Sequence, residues 1–123
     1  MGAWSFEVLT NDSALDAMWN LKDSKDVKSD VEKLLDDGDV EEKVLACEIV
    51  DISINGINEE ILGGLYKYEE FFRSIQNEPI TELRLKAFET IRYIQKHDNG
   101  WVDEVKEQRA NLLRRIENRL TSQ

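Results

Sequence analysis

Apolar residues recur at helical spacing almost from end to end of this chain, and a single proline, Pro79, interrupts them. Half-buried strands need strict apolar–polar alternation, and that pattern is scarce here. The spacing therefore predicts an all-α fold: a single compact bundle of about six helices, with a short ordered N-terminal arm and a C-terminal helical hairpin. With 123 residues the chain is the size of one domain, 1–123, able to bury one core without metal or disulfide help.

Local signals divide the chain. Asn11 is suited to cap a first helix, with Asp12 in its first turn and Leu15, Met18 and Trp19 on one face, ending near Leu21. Val27, Val31, Leu34 and Leu35 define a second helix, with Ser24 as its expected N-cap and Gly38 as its stop. Asp39 and Glu42 approximate a capping box, and the run VEEKVLACEIVDISI that follows is apolar on most sides, as a central helix requires. Gly56, Gly63 and Gly64 mark breaks around a short helix at about 57–62, and LYKYEEFFRSI predicts another up to about Gln76. Beyond Pro79, Ile80, Leu83, Ala87, Ile91 and Ile94 predict one long helix. Asp98-Asn99-Gly100 then turns the chain into a last helix carrying Val102, Val105, Leu112, Leu113, Ile116 and Leu120.

The opening words MGAW, followed by Asn11-Asp12 and Ala14-Leu15-Asp16, resemble the start of a bacterial family, domain of unknown function 4259, whose members begin Met-Gly-Ala-Trp-Gly and later read Asn-Asp-x-Ala-x-Asp. The matching positions are Gly2, Ala3, Trp4, Asn11, Asp12, Ala14 and Asp16, with a weaker likeness in Ala46-x-Glu48-x-Val50. Ser5, Glu7 and Leu9 depart from the pattern, and no Ser-Glu-Leu-x-x-x-Trp segment stands near the end. Physically the matched residues are structural: Trp4 offers a large area to bury, and Asn11 or Asp12 satisfies open helix amides. Glu48, in the most apolar helix, needs hydrogen-bond partners if buried, and the arm is expected to supply them.

Chemistry-bearing motifs are few, and no catalytic residues are assigned. His97 is the only histidine and reads as a cation at a helix C-terminus. Cys47 is the only cysteine and has apolar neighbours, as a core residue would. Zinc needs several His or Cys at close spacing. In DDGDVEE, placing Gly38 sixth in a calcium loop would put Lys33, Leu35 and Val44 at positions one, three and twelve. Glu104-x-x-Glu107 lacks the second pair of a carboxylate metal site and reads as a solvated face. No glycine-rich phosphate loop follows a strand. No metal, no cofactor and no enzymatic activity are expected.

Charge is the informative feature. Residues 1–70 hold eighteen acids against six lysines, a net of −12, whereas residues 71–123 hold a net of +2. Such a field repels phosphate, which argues against direct nucleic-acid or membrane binding and steers a basic protein instead. Asp36 and Asp37 oppose the dipole of the helix they end, so they read either as solubilising residues or as part of a binding surface. Glu41, Glu59, Glu60, Glu69 and Glu70 extend that surface, and Tyr66, Tyr68, Phe71 and Phe72 offer either aromatic anchors or core.

No eighteen-residue apolar run and no secretory signal pattern occur, so a cytoplasmic protein is expected. The expected function is a non-catalytic protein-binding module, most concretely a bacterial immunity protein or antitoxin that neutralises a basic toxin, such as a nuclease, through its acidic surface. A carboxylate-based metal-dependent enzyme and an acidic nucleic-acid mimic acting on a non-toxin target are the alternatives. The oligomeric state is not readable.

Overall fold

A capping box starts the helix around which the rest is built: the Asp39 carboxylate accepts from the Glu42 backbone N–H, and the Glu42 carboxylate accepts from that of Asp39, both at 2.8 Å. The helix it opens, Val40–Asn55, is buried without interruption from Val44 to Ser53. A helix apolar on all sides must be surrounded. A computed structural model of the chain describes residues 12–56, 69–75, 79–97 and 103–121. In order these form α1 (Asp12–Lys22), α2 (Val27–Asp37), α3 (Val40–Asn55), α4 (Glu69–Ser74), a 3-10 turn (Pro79–Leu83), α5 (Arg84–His97) and α6 (Asp103–Thr121). Every one of the other elements contacts α3. The all-α bundle is thus the observed fold, and among the described residues there is no strand.

The buried faces follow the sequence pattern with three corrections. In α1 the inward residues are Ala17, Met18 and Leu21, whereas Trp19 is 59 % exposed with the Lys22 ammonium 4.8 Å above its ring. Trp19 stands about 100° around the helix from Met18, enough to carry it out of the interface. The second helix is capped by Asp26, whose carboxylate accepts from Ser29 N–H at 3.1 Å. Ser24, the expected cap, instead donates to the Asp30 carboxylate and accepts from Asp26 N–H, bracing the loop before the helix. Ile80 and Leu83 are buried as expected but lie in the 3-10 turn, not in the long helix. An i, i+3 pair eclipses in a 3-10 turn, so the spacing fits both structures.

The last two helices pack against each other. Arg84 Nε donates to Leu120 O at 2.7 Å near one end, and Gln95 Nε2 donates to the Glu117 carboxylate at 3.1 Å further along. Their buried faces, Ala87, Ile91 and Ile94 against Leu112, Leu113, Ile116 and Leu120, join the same core as α3. Phe72 of α4 is also core, with Phe71 edge-on to it at 5.7 Å. The arm containing Gly2, Ala3 and Trp4, the cap Asn11, the breaks at Gly63 and Gly64, Tyr66, Tyr68 and the turn at 98–100 lie outside the described residues. No helix among the described residues is long and apolar enough to cross a membrane.

Two glycines let the chain enter and leave α3, for different reasons. Gly38 has an ordinary extended backbone, φ −69° and ψ 163°, but a Cβ there would stand 2.6 Å from Leu34 O and 2.9 Å from Glu42 Cβ. Gly56 ends α3 at φ 90° and ψ 175°, a region that side chains strongly disfavour. Gly→Ala at an unconstrained site stabilises by about 0.4–1 kcal/mol. Gly38→Ala and Gly56→Ala are each expected to destabilise instead, by about 1–3 kcal/mol, as read from urea unfolding midpoints.

Candidate functional site

Two groups of polar residues stand out, one on the surface and one inside. The surface group begins where α2 ends. Asp36 is not idle at that helix terminus: both its oxygens take hydrogen bonds from Lys86 Nζ of α5, at 2.9 and 3.1 Å, and Glu32 one turn earlier takes a third at 3.1 Å. These carboxylates, Asp36 first, hold the Lys86 ammonium above its ordinary pKa. Asp36 therefore ties α2 to α5, a structural task that its unfavourable place on its own helix did not reveal. Lys28 makes a similar tie from α2 to Glu82 of the 3-10 turn.

Asp37 is exposed, with no basic residue in the last turn of α2. Across the Gly38–Asp39 corner, Glu41 lies half-buried in the first turn of α3. Asp36 and Asp37 thus end α2, and Glu41 lies in the first turn of α3 beyond the corner. Glu70 is exposed on α4, a separate element. Glu69 opens α4 and Asp12 opens α1, but their side chains, and Glu59 and Glu60 altogether, lie outside the described residues. Glu107 is exposed on α6, in keeping with a solvated face. His97 ends α5, with its ring stacked on Tyr93 at 4.1 Å and its Nδ1 2.8 Å from Tyr93 O.

The interior group lies between α3 and α6. Glu48 and Asp51, one turn apart on α3, are both 0 % exposed. Arg119 of α6 reaches in from a partly exposed position, and its Nε–H donates to both oxygens of Asp51 at 2.9 and 2.7 Å. Its Nη2 donates to Gly56 O at 2.8 Å, so the same guanidinium satisfies a carbonyl just past the end of α3. Asn55 Nδ2 completes the knot, donating to Asp51 Oδ1 at 3.0 Å and to Arg119 O at 2.6 Å.

Glu48 is the exception. Among the described residues, no donor group hydrogen-bonds to either of its oxygens. Burial pushes its carboxyl well above the ordinary carboxylate range, the neighbouring Asp51 pushes it further, and Arg119 opposes both. The expected donors of the N-terminal arm lie outside the described residues. Cys47, next to Glu48, is core as expected: its thiol is fully buried against Ala87 O at 3.3 Å, and burial raises its pKa strongly.

Sequence reasoning singled out Glu48 but missed Asp51, Asn55 and Arg119. A signal existed, since Asp51 falls one turn beyond Glu48 in the same apolar run and Arg119 stands between Ile116 and Leu120. The pairing itself depends on how α6 packs on α3. Removing one partner of a buried ion pair leaves an uncompensated charge, so Arg119→Ala should lower unfolding free energy by about 3–5 kcal/mol. The double variant Arg119→Ala/Asp51→Asn should recover part of that loss, which a chemical-denaturation double-mutant cycle would measure.

No curated protein and no solved structure matches the chain. The sequence model of one family, described as a domain of unknown function (DUF4259), matches residues 2–112. That span takes in the N-terminal arm, α1 to α5 and α6 as far as Leu112, far beyond the opening residues that carried the resemblance. The chain belongs to the family of domain of unknown function 4259.

Proposed function

We propose that this chain is a non-catalytic protein-binding module of the bacterial cytoplasm whose acidic surface captures a basic protein. Its most concrete form is an immunity protein or antitoxin that neutralises a basic toxin, such as a nuclease, by offering carboxylates where that toxin expects phosphates. The observation that carries this reading is the charge asymmetry, a net of −12 in residues 1–70. Exposed Asp37 gives the charge a place on the surface, with no basic residue in the last turn of α2. Lys86 partly neutralises Asp36 and Glu32, so the contribution of Asp37 to an external field is the larger one.

The fold also guides the choice of variants. Reversing Asp36 would place two ammonium groups together at Lys86 and disturb the docking of α2, so Asp37 and Glu70 are the residues to reverse. The partner retained by the immobilised chain from a lysate of its source cells at low salt is identified and purified, and its association is timed. Association should slow markedly between about 0.05 and 0.5 M salt, as the Debye length shrinks from about 14 to about 4 Å, while dissociation changes much less. Asp37→Lys/Glu70→Lys should slow association about tenfold or more, and Glu107→Lys should leave it unchanged. A salt-independent rate, or binding lost only in Glu107→Lys, would overturn the proposal.

A further inference from the structure

Helix α3 places two carboxyl groups, Glu48 and Asp51, one turn apart in the core, and among the described residues a single cation, Arg119, faces them. The directional bonds of Arg119 are committed elsewhere than Glu48: Nε–H to both oxygens of Asp51 and Nη2 to Gly56 O. Asn55 likewise donates to Asp51 and to a backbone carbonyl. Among the described residues, no donor group hydrogen-bonds to either oxygen of Glu48, which has zero exposure.

The elements packed on α3 bring no further charge to this point among the described residues. The inward faces of α1, α2 and α5 are apolar, and so are Phe72 of α4 with Ile75 just beyond it, and Ile80 and Leu83 of the 3-10 turn. On α3 itself the neighbouring Cys47 thiol is held neutral by burial. Among the described residues, Asp51 and Arg119 are the charges that act on Glu48. One cation balances one carboxylate. Among the described residues a second ionised carboxylate would find neither a counter-ion nor a hydrogen-bond donor, which costs far more than retaining a proton.

We infer that Glu48 is a proton-binding site of the folded chain: packing α6 against α3 holds one proton on Glu48 at neutral pH, beside an Asp51 carboxylate paired with Arg119. The consequence is a linkage between folding and pH. In the unfolded chain a glutamate loses its proton near about pH 4.3. Above that pH the folded chain carries a proton that the unfolded chain has released. The unfolding equilibrium constant therefore rises about tenfold for each unit of pH until Glu48 ionises within the fold. The stability contributed by Glu48 is complete below the unfolded-state value and is lost as pH rises through the raised folded-state value. Through Glu48, mild acid favours the folded chain and alkali disfavours it.

The test compares urea unfolding of the wild-type chain with that of Glu48→Gln, which keeps the shape of the protonated acid and cannot ionise. From about pH 5 upward, the wild-type unfolding constant should rise relative to that of the variant by about tenfold per pH unit. A wild type that follows the variant at every pH overturns the inference. If Glu48→Gln does not fold, the infrared spectrum of the native wild type at pH 7 decides. The carbonyl stretch of a protonated carboxylic acid, present in the folded chain and lost in denaturant, supports the site, and its absence from the folded chain overturns it.

Discussion

A helix without a solvent face is the constraint on which the described structure depends. From Val44 to Ser53 every residue of α3 is withdrawn from water, and among them are five large aliphatic side chains. Burying such a side chain is worth about 1.5–3 kcal/mol each, so none of that gain is realised unless neighbours cover α3 on all sides. Each of the other described elements supplies one apolar stripe to that task. The ion pairs of Lys28 and Lys86 lie outside this core and hold α2 in register with the 3-10 turn and α5. Gly38 permits the close turn into α3, and Gly56 the abrupt exit from it.

Apolar burial alone is not directional, and a helix apolar all round could rotate or slide among its neighbours. The polar knot of Asp51, Asn55, Arg119 and Gly56 removes that freedom, because its hydrogen bonds form in one register of α3 against α6. A buried ion pair of this kind adds little net stability compared with an apolar packing of the same shape. Its effect here is on the alignment of two helices from opposite ends of the chain. Glu48 lies one turn from Asp51 on the same helix and shares the electrostatics of the knot, raised by Asp51 and opposed by Arg119.

The acidity of the chain is divided between interior and surface. Glu48 and Asp51 belong to the core, while Glu32 and Asp36 share Lys86, so only part of the charge counted in residues 1–70 is open to a partner. The corner between α2 and α3 retains Asp37 in the open. On the proposed reading a basic protein meets this surface, and its attraction would act first on the rate of encounter. Membership of the family of domain of unknown function 4259 covers residues 2–112 and carries no named activity with it.

The helical class, the capping box at Asp39 and Glu42, the central place of α3 and the inward faces of α2, α5 and α6 were legible in the sequence alone. All of them follow from local spacing and local hydrogen bonding, which nearby residues determine. The exposure of Trp19, the cap at Asp26 and the 3-10 turn at Pro79–Leu83 were not, because in each case two local structures fit the same pattern and packing chose between them. The candidate site was half legible. Glu48 was conspicuous as a charge in an apolar run, and Asp36 as a charge at the wrong end of a helix, but their roles depend on Arg119 and Lys86, 71 and 50 positions further along the chain. No sequence pattern encodes which cation reaches which carboxylate. That is decided when α5 and α6 pack against α2 and α3, and only then do the same carboxyl groups become a tie between helices, an ion pair in the core or a proton held away from water.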